Sequence, residues 1–140
     1  MKVKFTIPGE PKGKGRPRFS PNGYKPRTPE DTVAYENLVK LEYQRQCNSL
    51  KFDDGEQLDM RITAYYSIPK SASLKKQKAM EQHRIRPTKK PDMDNVVKII
   101  ADSLNHIAYH DDTQIVDCMV RKFYSHEPHV VVTIEDANTF

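Results

Sequence analysis

KKPDMDNVVKIIADSLNHIAYHDDTQI, residues 89–115, is the most informative stretch of the chain. It places two pairs of aspartates, Asp92 with Asp94 and Asp111 with Asp112, around one short amphipathic segment. Carboxylates gathered this densely repel one another, and the repulsion costs free energy unless a cation, a proton or the positive end of a helix offsets it. The stretch is therefore a candidate cation-binding site in a chain that is otherwise net basic.

A helix is predicted to begin near Asp92 or Met93. Proline is tolerated before a helix or in its first turn, as Pro91 would be, and aspartate is a favoured N-cap residue. Apolar residues then recur at three- and four-residue spacing, as in a helix with one buried face; they are Met93, Val97, Ile100 and Leu104. The opposite face carries residues four apart, which are Asp94, Lys98 and Asp102.

The second aspartate pair, Asp111 and Asp112, is predicted to lie on a loop that leads into a strand. If that strand packs beside the helix, one of the pair can approach Asp92 and Asp94, with Lys98 one turn away. A hard divalent cation requires a few carboxylates and open positions for water and phosphate. Simpler interpretations stay open, because the first pair can be only a helix cap and the second only a turn.

The motifs also resemble a known family. K-P-D-x-D-N-x-x-K, a helix end D-x-L-N and Y-x-D-D-x-Q-I-V lie within residues 90–116, and residues 5–19 add a basic opening rich in proline and glycine. Together they resemble the RusA family of Holliday-junction resolvases, and in particular the branch found in Gram-positive hosts and their phages. The resemblance implies a metal-dependent endodeoxyribonuclease that acts as a homodimer and resolves four-way DNA junctions by paired symmetric nicks.

Residue by residue, the resemblance implies catalytic roles for Asp92, Asp94, Asp112 and Lys98. The three aspartates would hold Mg²⁺ or Mn²⁺, and the lysine would stabilise charge that develops on the phosphate. Further candidates, as ligand-orienting or structural carboxylates, are Asp111 and Asp102. Two rival functions stay open: a metal-dependent nuclease on flaps or other branched DNA, and a non-catalytic DNA-binding module in which the acids only cap the helix.

Basic residues are concentrated in two segments. Residues 1–28 and 70–90 each contain eight basic and one acidic side chain, whereas residues 29–69 and 91–140 are net acidic. Basic segments on either side of an acidic centre favour binding of a polyanion such as DNA, although solvated arms would have the same composition. The candidate DNA-binding residues are Lys12, Lys14, Arg16, Arg18, Lys75, Lys76, Arg84, Arg86, Lys89 and Lys90.

Composition sets further limits. A chain of 140 residues fits one domain over residues 1–140, and 36% hydrophobic against 30% charged residues predicts a thin core, which favours oligomerisation. Cys47 and Cys118 fit no metal or redox spacing and are expected to be buried or partly buried free thiols. With no leader-like or membrane-spanning apolar run, we expect a cytoplasmic protein. His106 and His110 could suggest a zinc site, but a helix that stops near residue 105 need not put them on one face.

The predicted fold class is α+β, a single domain with a mixed, mostly antiparallel sheet of about four strands and two main helices packed on it, as the RusA resemblance also implies. Strands are predicted at residues 2–7, 58–66, 114–124 and 130–135, and helices at residues 29–48, 74–83 and from 92. The last two strands are expected to form a hairpin around Pro128. The first helix, capped by Thr28, is predicted to cover the sheet with Ala34, Leu38, Leu41 and Arg45.

Overall fold

A mixed sheet of four strands forms the centre of the computed structural model, which describes residues 1–14 and 30–137. The strands are β1 (Lys2–Pro8), β2 (Leu58–Ser67), β3 (Ile115–Ser125) and β4 (His129–Asp136), in the order β1-β4-β2-β3. β4 pairs antiparallel with both β1 and β2, whereas β2 and β3 are parallel. This architecture confirms the predicted α+β class with a mixed, mostly antiparallel sheet.

The described part of the chain contains three α-helices: α1 (Glu30–Cys47), α2 (Leu74–Glu81) and α3 (Met93–Ser103). A short 3₁₀ helix (Asp112–Gln114) precedes β3. Ser73 caps α2, because its side chain accepts a hydrogen bond from the Lys76 backbone N–H. The predicted cap of α1 at Thr28 lies outside the described residues. The helices α1 and α3 contact each other, and α1 packs on β1.

The core lies between the helices and one face of the sheet. Alternate residues of β2 are buried there, as period-two patterning predicts: Leu58, Met60, Ile62, Ala64 and Tyr66. The inward faces of β1 and β4 add Val3, Phe5, Ile7, Val130, Val132 and Ile134. The other face of β2, including Thr63 and Tyr65, is partly exposed. One side of the sheet is therefore open in the described structure.

The buried helix faces differ from the predicted ones. In α1, Ala34, Leu41 and Arg45 are exposed, and the sheet is covered instead by a stripe of Tyr35, Val39, Tyr43 and Cys47. Tyrosine suits this face because its ring fills the core, and the Tyr43 hydroxyl group also donates a hydrogen bond to Leu50 O. In α3, Met93 is 50% exposed, and the buried stripe is rotated to Val96, Ile99, Ile100, Ser103 and Leu104.

The predicted hairpin of the last two strands is wrong. β2 lies between β3 and β4, so the connection through Pro128 crosses the end of β2 instead of joining neighbours. The crossing is fixed by two backbone hydrogen bonds, from Ile68 N to Ser125 O (3.2 Å) and from Gly9 N to Pro128 O (3.1 Å). Strand periodicity reports which residues alternate, but it carries no information about which strand is the neighbour.

Candidate active site

The N-terminus of α3 presents the first aspartate pair. Asp92 is the N-cap residue and Asp94 lies in the first turn, and both are exposed. Asn95 Nδ2 donates to Asp92 Oδ1 at 3.1 Å. A hydrogen bond from its own backbone and the contact with Asn95 lower the pKa of Asp92 below its usual value. The lowered pKa favours the ionised form of this carboxylate, and the hydrogen bond from Asn95 orients it.

A segment that follows β1 packs against this first turn. Lys14 N donates to Asn95 O at 3.3 Å, and a Cβ atom on Gly13 would lie 3.0 Å from the Cβ atoms of both Asn95 and Pro91. The Tyr66 hydroxyl group, from β2, donates to Pro91 O. The start of α3 is thus held from two sides, which limits how far Asp92 can move.

We expect Gly13→Ala to destabilise the protein by about 1–2 kcal/mol, because overpacking against Asn95 and Pro91 outweighs the modest gain from a less flexible unfolded chain. The check is the thermal unfolding midpoint, with Lys12→Ala as the control because Lys12 is the exposed neighbour. Equal midpoints for the two variants would show that α3 shifts freely to admit the methyl group.

The second aspartate pair lies at the 3₁₀ helix. Asp111 caps it by accepting from Thr113 N at 3.1 Å, and Asp112 N donates to Asn105 Oδ1 at 2.8 Å. The pKa of Asp112 is raised by partial burial and by the neighbouring carboxyl group of Asp102. Asp102 and Asp112 therefore form a second carboxylate pair, and their repulsion favours a proton or a cation between them.

The ammonium group of Lys14 lies beside Asp102, one of the two acids of this pair. Its Nζ atom lies 3.0 Å from Glu36 Oε2 and 3.5 Å from Asp102 Oδ2. Burial opposes the charged form, but the contacts with Glu36 and Asp102 outweigh it and raise the pKa of Lys14. The ammonium group is thus engaged inside the acidic cluster rather than free at the surface.

The candidate carboxylates fall into two groups along α3. Asp92 and Asp94 stand at its start, whereas Asp112 contacts Asp102 and Asn105 near its end. Asp94 and Asp102 are eight residues apart, about 12 Å along a helix axis. Within residues 1–14 and 30–137, no three His, Cys, Asp or Glu side chains are arranged to hold one metal ion. Exposed Lys98 lies between the two groups in the sequence of α3.

The candidate histidines contribute no third ligand in the described structure. The rings of His106 and His110 lie 5.5 Å apart, edge to face, after α3 has ended at Ser103. His106 has a positive φ of 66°, so the chain has turned away from helical geometry there, as the asparagine at residue 105 indicates.

The second basic segment is docked along β3. Arg86 Nε donates to Lys122 O at 2.9 Å, and Lys122 Nζ donates to Lys89 O at 2.8 Å. Partial burial lowers the pKa of Lys122, against the opposing effect of Asp92. Apart from Lys14, which contacts Glu36 and Asp102, the other predicted DNA-binding side chains that the structure describes are exposed: Lys12, Lys75, Lys76, Arg84 and Lys90. Arg16 and Arg18 lie outside the described residues.

Three supporting residues were missed at the level of sequence. Buried Gln114 joins the aspartate loop to the turn before β2, since its side chain accepts from His110 N and donates to Asp53 O and Glu56 O. Glu36 comes from a different helix, and no local pattern places it beside Asp102. For Asn105, the D-x-L-N helix end was a visible signal, but its contact with Asp112 was not.

Comparison with known proteins identifies the family of this chain. The family model described as "Endodeoxyribonuclease RusA" matches residues 8–135. The chain belongs to the RusA endodeoxyribonuclease family. Membership in the RusA family indicates an endodeoxyribonuclease, a hydrolase that acts on DNA, and the RusA family acts on branched DNA. The chain is also similar to the uncharacterized protein YqaN of Bacillus subtilis (strain 168), with 39% identity over 140 residues and 97% of each chain covered. Among the described residues, no helix is long and apolar enough to span a membrane.

Proposed function

We propose that the protein is a magnesium-dependent, structure-selective endonuclease that resolves four-way DNA junctions as a homodimer. The observation that supports it most directly is the arrangement of acids on a RusA-family chain: two carboxylate pairs at the two ends of one helix, one of them with its acids in contact. A pair of carboxylates is a suitable Mg²⁺ site, because proteins usually hold this ion with one or two carboxylates, and waters and substrate phosphates complete its coordination.

The proposed metal ligands are the pair Asp92 and Asp94 and the pair Asp112 and Asp102. Mg²⁺ at these carboxylates would polarise the scissile phosphate and lower the pKa of a water nucleophile. The Asn105 side chain orients Asp112 by accepting a hydrogen bond from the Asp112 backbone N–H, and the Asn95 side chain orients Asp92 by donating to its carboxylate. Asp111 is assigned a structural role, because its carboxylate caps the 3₁₀ helix.

Lys98 is proposed to stabilise negative charge on the phosphate oxygens in the transition state. It is exposed and spaced four residues from both Asp94 and Asp102, so it shares their face of α3. Arginine and lysine side chains of the second basic segment would hold the DNA backbone beside this face. Because one acidic face can cleave one strand at a time, two copies would supply the two symmetric nicks that resolution requires.

The test compares purified protein on matched four-way junction, flap and linear duplex DNA, with and without Mg²⁺. Resolution requires symmetric paired nicks in the junction at a rate well above cleavage of the other two substrates. Faster cleavage of flaps would favour the rival flap nuclease. Binding to all three substrates without cleavage would refute the proposed activity and leave a DNA-binding module.

The joint substitution Lys75→Ala and Lys76→Ala is expected to weaken binding to every DNA form and to reduce the slope of log affinity against log salt by about 1–2, because each lost phosphate contact removes about one released counterion. Both side chains are exposed at the start of α2. The matched control is Lys40→Ala with Lys51→Ala, which removes the same charge from a net acidic part of the chain. An unchanged slope in the first variant would show that α2 makes no phosphate contacts.

A further inference from the structure

The strand β3 is an edge of the sheet. It pairs with β2 on one side, and no other strand of the described chain pairs with it. Ser125 O accepts from Ile68 N, just beyond β2, so the main-chain groups of odd-numbered residues point towards β2. Lys122 O accepts from Arg86 Nε on the other side. By alternation, the N–H and C=O groups of Cys118 and Val120 point outwards.

Among residues 1–14 and 30–137, the contacts that cover the outer edge lie at one end of it. The contacts of Arg86 and Lys89 with Lys122 cover the end of β3 near Tyr124. Further towards the start of the strand, Cys118 is exposed, although the sequence predicted a buried or partly buried thiol, and Met119 is 46% exposed. An open edge with apolar side chains and unpaired backbone groups is a template for another strand.

The open part of the edge is complementary to itself. Asp117, Met119 and Arg121 alternate along β3, all three are exposed, and all project to the face of the sheet away from the helices. In an antiparallel pair of two such strands centred on Met119, each Asp117 lies opposite the Arg121 of the other copy. The same register places the outward groups of Cys118 opposite those of Val120, so the backbone hydrogen bonds form as well.

We propose that a second copy of this chain pairs with β3 in this register and extends the sheet across the two copies. A two-fold axis perpendicular to the sheet would relate them, so that α1 and α3 of both copies lie on the same side. The faces of α3 that carry the candidate carboxylates would then lie on the same side of the extended sheet, where one DNA substrate could contact both. The inference rests on the proposed homodimer and adds its location and register, which the nuclease activity alone does not define.

The register is tested by crosslinking. Met119 of one copy lies directly opposite Met119 of the other in a non-hydrogen-bonded pair, where Cβ atoms are about 4.5–5.5 Å apart, close enough for a disulfide after small adjustment. Met119→Cys in a Cys118→Ser background is therefore expected to form a covalent dimer under mild oxidation. The control is Glu127→Cys in the same background, which is exposed but far from its symmetry mate in this register. Crosslinking of both variants, or of neither, would overturn the register.

Charge exchange gives an independent test by light scattering. Asp117→Arg and Arg121→Asp are each expected to raise the dimer dissociation constant ~10-fold or more, because each puts like charges opposite one another twice. The double variant restores opposite charges and is expected to recover dimerisation. A monomeric wild type, or a dimer unaffected by the single substitutions, would overturn the interface. These readouts do not use cleavage, so an inactive but dimeric protein would refute the proposed function and leave this interface standing.

Discussion

Asp94→Asn is expected to abolish cleavage of a four-way junction in Mg²⁺ while DNA affinity is kept or slightly increased. The side chain is exposed in the first turn of α3. Losing one carboxylate ligand weakens metal binding and charge stabilisation together, and a loss of about 4 kcal/mol corresponds to about 1000-fold in rate. Affinity does not fall, because a negative charge near the DNA backbone has been removed.

The measurement is single-turnover cleavage together with a mobility shift in Ca²⁺. Asp54→Asn is the matched control, since Asp54 is an exposed acid in the turn before β2. An unchanged unfolding midpoint in both variants separates chemistry from stability. Near-normal turnover by Asp94→Asn would remove Asp94 from the proposed ligand set.

Mixed dimers of wild type and Asp112→Asn are expected to leave singly nicked circles when offered a junction in a cruciform plasmid. Each copy supplies one acidic face, and a face without the Asp112 carboxylate cannot cut its strand. Wild-type dimers give linear product, so the nicked fraction should peak at equal mixing, near one half. The products are separated by gel electrophoresis after the two proteins are refolded together.

Linear product in simple proportion to the wild-type fraction, without accumulation of nicked circles, would show that one copy makes both cuts. Light scattering of the same samples verifies that the refolded proteins are dimers. A protein that stays active as a monomer would contradict the dimeric mechanism even if every proposed ligand proved correct.

Sequence reasoning was most reliable where one residue pattern has one physical cause. The alternation of Leu58 to Tyr66 could only satisfy a strand with one buried face, and Pro91 with Asp92 marked a helix start. The sequence also predicted that Asp111 and Asp112 precede a strand, as they do in the structure. These local signals place the acids on the correct elements.

What the sequence did not contain was contact between elements. One aspartate of the second pair was expected to approach the first pair if the strand packed beside the helix, but Asn105 and the capped 3₁₀ helix direct Asp112 to Asp102. Lys14 was predicted to contact phosphate, yet it reaches Glu36 and Asp102 because the segment after β1 runs across α3. The order of strands was equally invisible, since β3 and β4 are adjacent in sequence but separated by β2.

The candidate metal ligands Asp92, Asp94, Asp102 and Asp112 all lie in the long segment that connects the parallel strands β2 and β3. Residues 68–114, with α2 and α3, lie between the two strands, and β3 is held to the sheet only through β2 in the described structure. Separation of β3 from β2 would release Asp112 while β1, β4 and β2 stay paired. We therefore expect hydrogen exchange to show that the backbone amides of β3 are less protected than those of β4. A partner strand paired with the outer edge of β3 would hold β3 from its other side. Dimerisation would then raise the local stability of the segment that carries the candidate ligands.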